Sequence, residues 1–283
     1  MTSIKDYGEY ETAWCPGCGN FGILNCLKKA LVACELAPHQ VLLVSGIGQA
    51  AKTPHYLKAN VFNGLHGRSL PVAIGAKLAN PELTVIAESG DGCMYGEGGN
   101  HFLAALRRNL NLTILAHDNQ VYGLTKGQAS PTSEQGFVTK AQPHGAFAAP
   151  FNPVAVAVTM GASFVARGYV GMPEHLADLI AQAIKHRGTA LVDIMQPCVS
   201  FNKVNTYQWY KEHCYELGEG HDPTDHAQAL NIALEFGERI PLGVIYKQEK
   251  PLFEDQFPVL KNGVLGRQEV SREGLQQIME GYL

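Results

Sequence analysis

The 283-residue chain contains no long cluster of lysine or arginine, and its formal net charge is −4, with an isoelectric point near 6.3. It therefore lacks the basic footprint by which proteins hold a nucleic-acid backbone. No apolar run reaches the roughly 20 residues that a membrane-spanning helix needs. The opening residues, MTSIKDYGEYETAW, are polar and acidic and lack the apolar core of a secretory signal. There is no internal repeat and no low-complexity tract. The seven cysteines (15, 18, 26, 34, 93, 198 and 214) are odd in number, which argues against a disulfide framework. No second close pair accompanies Cys15-Pro16-Gly17-Cys18, as a four-cysteine zinc site would require. Together these point to a cytoplasmic chain whose thiols are free for metal or redox chemistry.

What is present suits a sizeable α/β enzyme. The chain is 46% hydrophobic and has 30 glycines, enough for a large core and many tight loops. Helical spacing over Phe21–Glu35 puts Ile23, Leu24, Leu27, Leu31 and Val32 on one face. Short buried-strand patterns follow at Gln40–Ser45, Leu83–Ala87, Leu112–Ala116, Ala162–Arg167 and Leu191–Met195. Helical patterns at Val72–Ala79, His101–Asn109, Asn152–Met160 and Pro173–His186 alternate with them. Such alternation predicts a mainly parallel sheet with helices on both faces. Thr125–Ala149 reads as one long polar loop, and loops of that length are usually functional or disordered. Residues 1–200 are expected to form the α/β domain, and 201–283 a C-terminal extension packed on the core or a partner. The last thirty residues lack a clear period.

The densest signal is Glu88–Gln128. Gly90-Asp91-Gly92 follows one strand pattern, Asp118-Asn119 follows the next, and a helix lies between. In a parallel unit these two loops meet at the carboxyl ends of adjacent strands, where open α/β sheets bind ligands. Asp91 and Asn119 offer hard oxygen ligands suited to Mg²⁺ with a diphosphate, and the glycines let backbone N–H groups approach phosphate oxygens. Two ordinary turns are the alternative. Cys15-x-x-Cys18 fits a dithiol pair, half a zinc site or part of an iron–sulfur site. Cys198, just past a strand at the same sheet edge, could join it. His66 lies in a glycine-flanked loop, and Lys52 and Lys126 lie in loops at the same edge, able to serve an anionic substrate. His117, inside a strand pattern, is expected to be a satisfied core histidine, and Cys26 and Cys34 small core fillers.

Several segments taken together carry a resemblance: CPGCGN (15–20), SGIG (45–48), LHGR (65–68), GDG (90–92), HDNQVYGLTKGQ (117–128) and QPC (196–198). The chain resembles the β subunit of the 2-oxoacid:ferredoxin oxidoreductases over about residues 10–215, in the 2-oxoglutarate or broad 2-oxoacid branch. The resemblance implies a thiamine diphosphate-binding fold and CoA-dependent oxidative decarboxylation of 2-oxoglutarate or a related 2-oxoacid, with electrons passing through an iron–sulfur cluster to ferredoxin. It implies Mg²⁺ on Asp91, Asn119 and the carbonyl of Val121. Gly90, Gly92, Cys93, Gly123 and Leu124 would line the diphosphate, and Ile47, Gly48, Gln49, Ala50 and His66 would approach the thiamine. Cys15, Cys18 and Cys198 would hold a 4Fe–4S cluster, and Lys52 and Lys126 would face substrate carboxylates. An α subunit would supply the acid that activates the cofactor, most simply in an (αβ)₂ assembly. Two positions depart from the family pattern. Gln49 stands where the usual third cluster cysteine follows Gly-Ile-Gly, and Cys93 stands where relatives often have Asp. A pyruvate-preferring member, a non-oxidative thiamine diphosphate decarboxylase with structural cysteines, and a partner-binding subunit without a cluster are the alternatives.

Overall fold

The computed structural model describes residues 2–269 and 271–282. Helix α1 (Gly19–Ala33) opens directly behind Cys18, and its three- and four-residue apolar spacing buries Ile23, Leu24, Leu27 and Leu31 on one face. The chain continues through β1 (Val41–Ser45), β2 (Asn60–Asn63), α2 (Ser69–Ala79), β3 (Thr84–Gly90), α3 (Gly99–Arg108) and β4 (Leu112–Asp118). A small hairpin, β5 (Val121–Tyr122) and β6 (Gln128–Ala129), precedes α4 (Pro153–Thr159), β7 (Phe164–Tyr169), α5 (Pro173–Lys185) and β8 (Thr189–Met195). Residues beyond 200 supply α6 (Tyr207–His213), β9 (Cys214–Glu216), α7 (His226–Ala233), β10 (Ile240–Lys247) and α8 (Arg272–Glu280).

Eight of these strands form one sheet in the order β2-β1-β3-β4-β8-β7-β10-β9. The six strands from β2 to β7 run parallel to one another, and β10 pairs antiparallel with β7. β4 and β8 are buried along their whole lengths, as a sheet covered on both faces demands. Helices α1 and α5 cover one face, where the thiol of Cys26 donates to the Pro173 carbonyl and that of Cys34 to the Ala181 carbonyl. Helices α2, α3, α4 and α7 cover the other. The chain leaves β1 towards β2 on one side and returns to β3 on the other, so the topological switch point lies between β1 and β3. Ligands of open α/β sheets bind at that point, beyond the carboxyl ends of the strands.

The expected alternation is present, with differences. The edge strand β2, exposed at all four residues, lies where the sequence shows no strand pattern, because it has no buried apolar run. The segment read as one loop from Thr125 begins with the turn of a hairpin, closed where Val121 faces Ala129 and Tyr122 faces Gln128. The strands are too short for any two-residue period to register. The segment beyond 200 adds two strands to the main sheet, with β10 on β7 and β9 on β10. Finally, α8 forms in the part without a clear period. Its Leu275, Ile278 and Met279 have helical spacing but stay exposed, and a nine-residue helix offers too few turns to stand out.

Candidate active site

Gly90 is the last residue of β3 and Asp118 the last of β4, and these strands are neighbours with Gly90 facing His117. Asp91 and Asn119 are thus the first residues beyond two adjacent strand ends. One cavity lies over them. It is lined by Ile47, Gly48, Gln49 and Ala50 from the loop after β1, and by His66. Gly90, Asp91, Gly92 and Cys93 line it from the end of β3, and Asn119, Val121, Gly123 and Leu124 from beyond β4. All the residues implied for cofactor and Mg²⁺ therefore meet in one place. Tyr122 and Thr125 line the same cavity, although no sequence pattern singles them out.

Buried acids cluster around Asp91. Asp91, Asp118 and Asp193 are buried, and the buried arginine beside them is Arg167, whose Nε stands 3.7 Å from Asp193 Oδ2. Tyr95 donates its hydroxyl to Asp193 at 2.8 Å. Burial pushes Asp91 up to about 6, against the pull of hydrogen bonds from Ser130 and Thr132. It pushes Asp193 up to about 6 as well, against Arg167, and Asp118 well above the carboxylate range. The Thr132 hydroxyl lies 2.7 Å from both Asp91 Oδ2 and Asp118 Oδ1 but has one proton to give. Among the described residues no basic side chain pairs with Asp91.

Cys93 laces the walls together. Its buried sulfur accepts the Ile47 N–H at 3.3 Å and the Gly67 N–H at 3.2 Å. Ser89 Oγ accepts the Gly46 N–H at 3.1 Å. The loops after β1 and before α2 are thus tied to the turn after β3. Gly67 has φ of 71°, and a Cβ there would fall 2.4 Å from the Glu97 carbonyl carbon. The Tyr122 ring lies over Gly92, where a Cβ would meet it at 2.2 Å. His66 Nδ1 stands 3.1 Å from Glu97 Oε2 at the cavity rim.

A second cavity adjoins the first and shares Gln49, Asn119 and Gly123 with it. Cys15, Cys18 and Cys198 all line it, with Trp14, Asn20 and Gln196 among its other walls. The three thiols are thus brought together from the arm before α1 and from the loop after β8. The Cys18 N–H donates to the Cys15 carbonyl at 3.0 Å, closing the turn between them. Burial pushes the Cys18 thiol up, and the neighbouring Cys198 and Cys15 add to this. Among the described residues no three His, Cys, Asp or Glu side chains converge tightly enough to share one metal ion. Thiolates bound to different irons of a cluster are spread more widely than those around a single ion.

His117 is a core histidine, as expected. Its Nδ1 lies 2.9 Å from Asn20 Oδ1 and its Nε2 3.0 Å from Glu88 Oε1. Thr53 donates to the same carboxylate oxygen. This buried row ties the start of α1, and with it the thiol loop, to the sheet edge. The two lysines line neither cavity. Lys52 is partly buried in a short 3₁₀ helix (Ala50–His55), and Lys126 is exposed in the hairpin turn beside a groove that also contains Lys140 and Phe201. Neither Cys93 nor Cys26 fills the missing cluster position, since both are buried and engaged elsewhere.

Residues 40–194 match the family model described as thiamine pyrophosphate enzyme, C-terminal TPP binding domain, and residues 198–262 match the model for the C-terminal part of the pyruvate ferredoxin oxidoreductase beta chain. The chain is 45% identical over 284 residues to 2-oxoacid:ferredoxin oxidoreductase 2, subunit beta, of Aeropyrum pernix, covering 95% of this chain and 92% of that one. It is 31% identical over 252 residues to the 2-oxoglutarate synthase subunit KorB of Methanocaldococcus jannaschii, covering 86% and 90%. Among solved structures, 2-oxoglutarate:ferredoxin oxidoreductase from Magnetococcus marinus, with 2-oxoglutarate, coenzyme A and succinyl-CoA bound, superposes with a TM-score of 0.91 at 35% identity, covering 98% of this chain and 96% of that chain. With its thiamine diphosphate-binding domain at the switch point of the sheet, this chain belongs to the β subunits of the 2-oxoacid:ferredoxin oxidoreductases.

Proposed function

We propose that this chain is the cofactor-bearing half of an enzyme that oxidatively decarboxylates 2-oxoglutarate to an acyl-CoA and CO₂, delivering the electrons to ferredoxin. The single observation that supports this most is the meeting of two cavities, one over Asp91 and Asn119 and one among three thiols, across a shared wall. The first cavity fits Mg²⁺ and a diphosphate. A buried carboxylate without a cation costs several kcal/mol, and Asp91 is such a group. Asp91, the Asn119 side-chain oxygen and the Val121 carbonyl form the hard oxygen set that Mg²⁺ takes together with substrate phosphates. Gly90, Gly92, Cys93, Gly123 and Leu124 flank the diphosphate, and a Cβ on Gly92 would displace the Tyr122 ring that helps line this cavity. Ile47, Gly48, Gln49, Ala50 and His66 flank the thiamine. Cys15, Cys18 and Cys198 supply soft sulfur donors for a 4Fe–4S cluster.

When bound, thiamine diphosphate supplies the electron sink for loss of CO₂, and the cluster conducts the electrons away one at a time. This chain's residues bind and orient. Asp91 and Asn119 anchor the metal, Cys93 holds the loops at the thiamine end in register, and Gln49, Asn119 and Gly123 separate the two cavities by a single layer. By the family resemblance Lys52 and Lys126 serve the substrate's carboxylates, although neither lines a cavity in this chain alone. The acid that activates the cofactor comes from an α subunit, most simply in an (αβ)₂ assembly, and the setting is cytoplasmic. Coexpression with the α partner is expected to give 2-oxoglutarate- and CoA-dependent reduction of ferredoxin that requires Mg²⁺. Acyl-CoA formation by the purified chain alone would refute the division of the active site between two subunits. Faster turnover of pyruvate than of 2-oxoglutarate would refute the substrate assignment.

A further inference from the structure

Gln49 is the residue in which the thiol cavity departs from a four-thiolate site. Three thiols line that cavity, and the other four cysteines cannot complete the set. Cys93 lines only the neighbouring cavity, and its sulfur already accepts two N–H groups. Cys26 and Cys34 bond carbonyls of α5 and its leading turn on the sheet's covered face. Cys214 lies in β9 beside Arg167 and lines no part of the cavity. The remaining donors in the cavity walls are neutral oxygens and nitrogens, those of Gln49, Asn20, Gln196, Asn119 and Ser200. Gln49 Oε1 is buried with no hydrogen-bond partner among the described residues. Its backbone is held in place by Trp14, whose Nε1 donates to the Gln49 carbonyl at 2.8 Å.

We infer that this chain holds its cluster through Cys15, Cys18 and Cys198 alone, with the fourth iron facing Gln49 and bound by an exchangeable oxygen donor. The inference rests on the cluster reading above. A neutral amide oxygen is a hard, weak ligand, whereas thiolates are the soft ligands that retain iron in such clusters. The chemical consequence is specific. A one-electron oxidant such as ferricyanide takes one electron from the 4Fe–4S cluster in its 2+ state and becomes ferrocyanide. The iron without a thiolate leaves as hydrated Fe²⁺ as its bonds to three sulfides break. A 3Fe–4S cluster in its 1+ state stays on the three cysteines. A fourth thiolate at position 49 would block that loss.

The test compares the full chain, coexpressed with its α partner and purified without oxygen, with the same complex carrying Gln49→Cys. Iron, acid-labile sulfide and electron paramagnetic resonance are read before and after titration with ferricyanide, and no activity is needed. The wild type is expected to release about one iron in four and to gain the signal of an oxidised three-iron centre. Gln49→Cys is expected to retain all four irons under the same titration. Equal retention of four irons by both proteins would overturn the inference while leaving the cluster in place. A wild type that binds no iron beside a Gln49→Cys protein that binds four would also overturn it, since the natural site would then hold no cluster. Absence of iron from both would overturn the cluster reading itself, and the inference with it.

Discussion

Asp91 keeps a charge where the protein gains nothing from it unless a cation arrives. It is buried, burial pushes its carboxyl up to about 6, and the buried Arg167 stands beside Asp193 instead. Asp91→Asn retains an oxygen that can accept from Ser130 and Thr132 but removes the charge. The apo variant is therefore expected to match or exceed the wild type in stability, by about 1 kcal/mol, since burying an unpaired charge is unfavourable. Its Mg²⁺-dependent affinity for thiamine diphosphate is expected to fall on the order of 100-fold or more, the scale at which even the supports of metal ligands act. Calorimetric titration and thermal unfolding measure the two effects, and a ligand-free variant that melts well below the wild type would contradict this account. Val121 came from the resemblance alone, whereas Asp91 and Asn119 were legible in the sequence as proposed Mg²⁺ ligands because each follows an apolar strand pattern. Ser130 and Thr132 were not, because they lie 39 and 41 residues from Asp91 and reach it only through the fold of the hairpin segment. Tyr122 lay inside a motif that was recognised, yet nothing in its neighbours foretold that its ring would cover Gly92.

Between residue and fold, the loops matter more than the strands that carry them. The inner strands could be located because burial on both faces demands unbroken apolar runs, and helices α1 and α5 because their apolar spacing is regular; the edge strand β2, exposed along its length, could not. Loop positions have no such period. They are set here by contacts between loops, above all Cys93 with Ile47 and Gly67. Gly67 has both a left-handed backbone and no room for a Cβ beside Glu97. Gly67→Ala is expected to cost about 1–3 kcal/mol through strain and to weaken thiamine diphosphate binding by displacing Ile47 and His66. Gly75, inside α2, has open space where a Cβ would sit, so Gly75→Ala is expected to stabilise by up to about 1 kcal/mol. Denaturant midpoints of the two variants check the contrast. Similar shifts in one direction would mean that packing between loops is not what constrains Gly67.

At the scale of the molecule, the switch point between β1 and β3 opens both cavities on one edge of the sheet, and one side of that edge is unfinished. Leu65 is 75% exposed at the rim, with Ile47 and Leu124 also exposed beside the thiamine cavity. An apolar rim around a polar cleft marks an interaction surface, consistent with a partner that closes the site. If such a partner closes the site, substrate enters along a junction between the two chains. Lys126, exposed in the hairpin turn with φ of 77°, lies two residues beyond Leu124 of the cavity wall. If it receives the distal carboxylate of 2-oxoglutarate, Lys126→Ala removes a charge-assisted hydrogen bond of about 1.5–3 kcal/mol. The KM for 2-oxoglutarate is then expected to rise ~10- to 100-fold, with kcat little changed. Pyruvate, which has no distal carboxylate, is expected to be used as before. Steady-state kinetics of the αβ complex with both substrates decide the matter: an equal loss on both would remove Lys126 from specificity and leave that role to the partner's side of the junction.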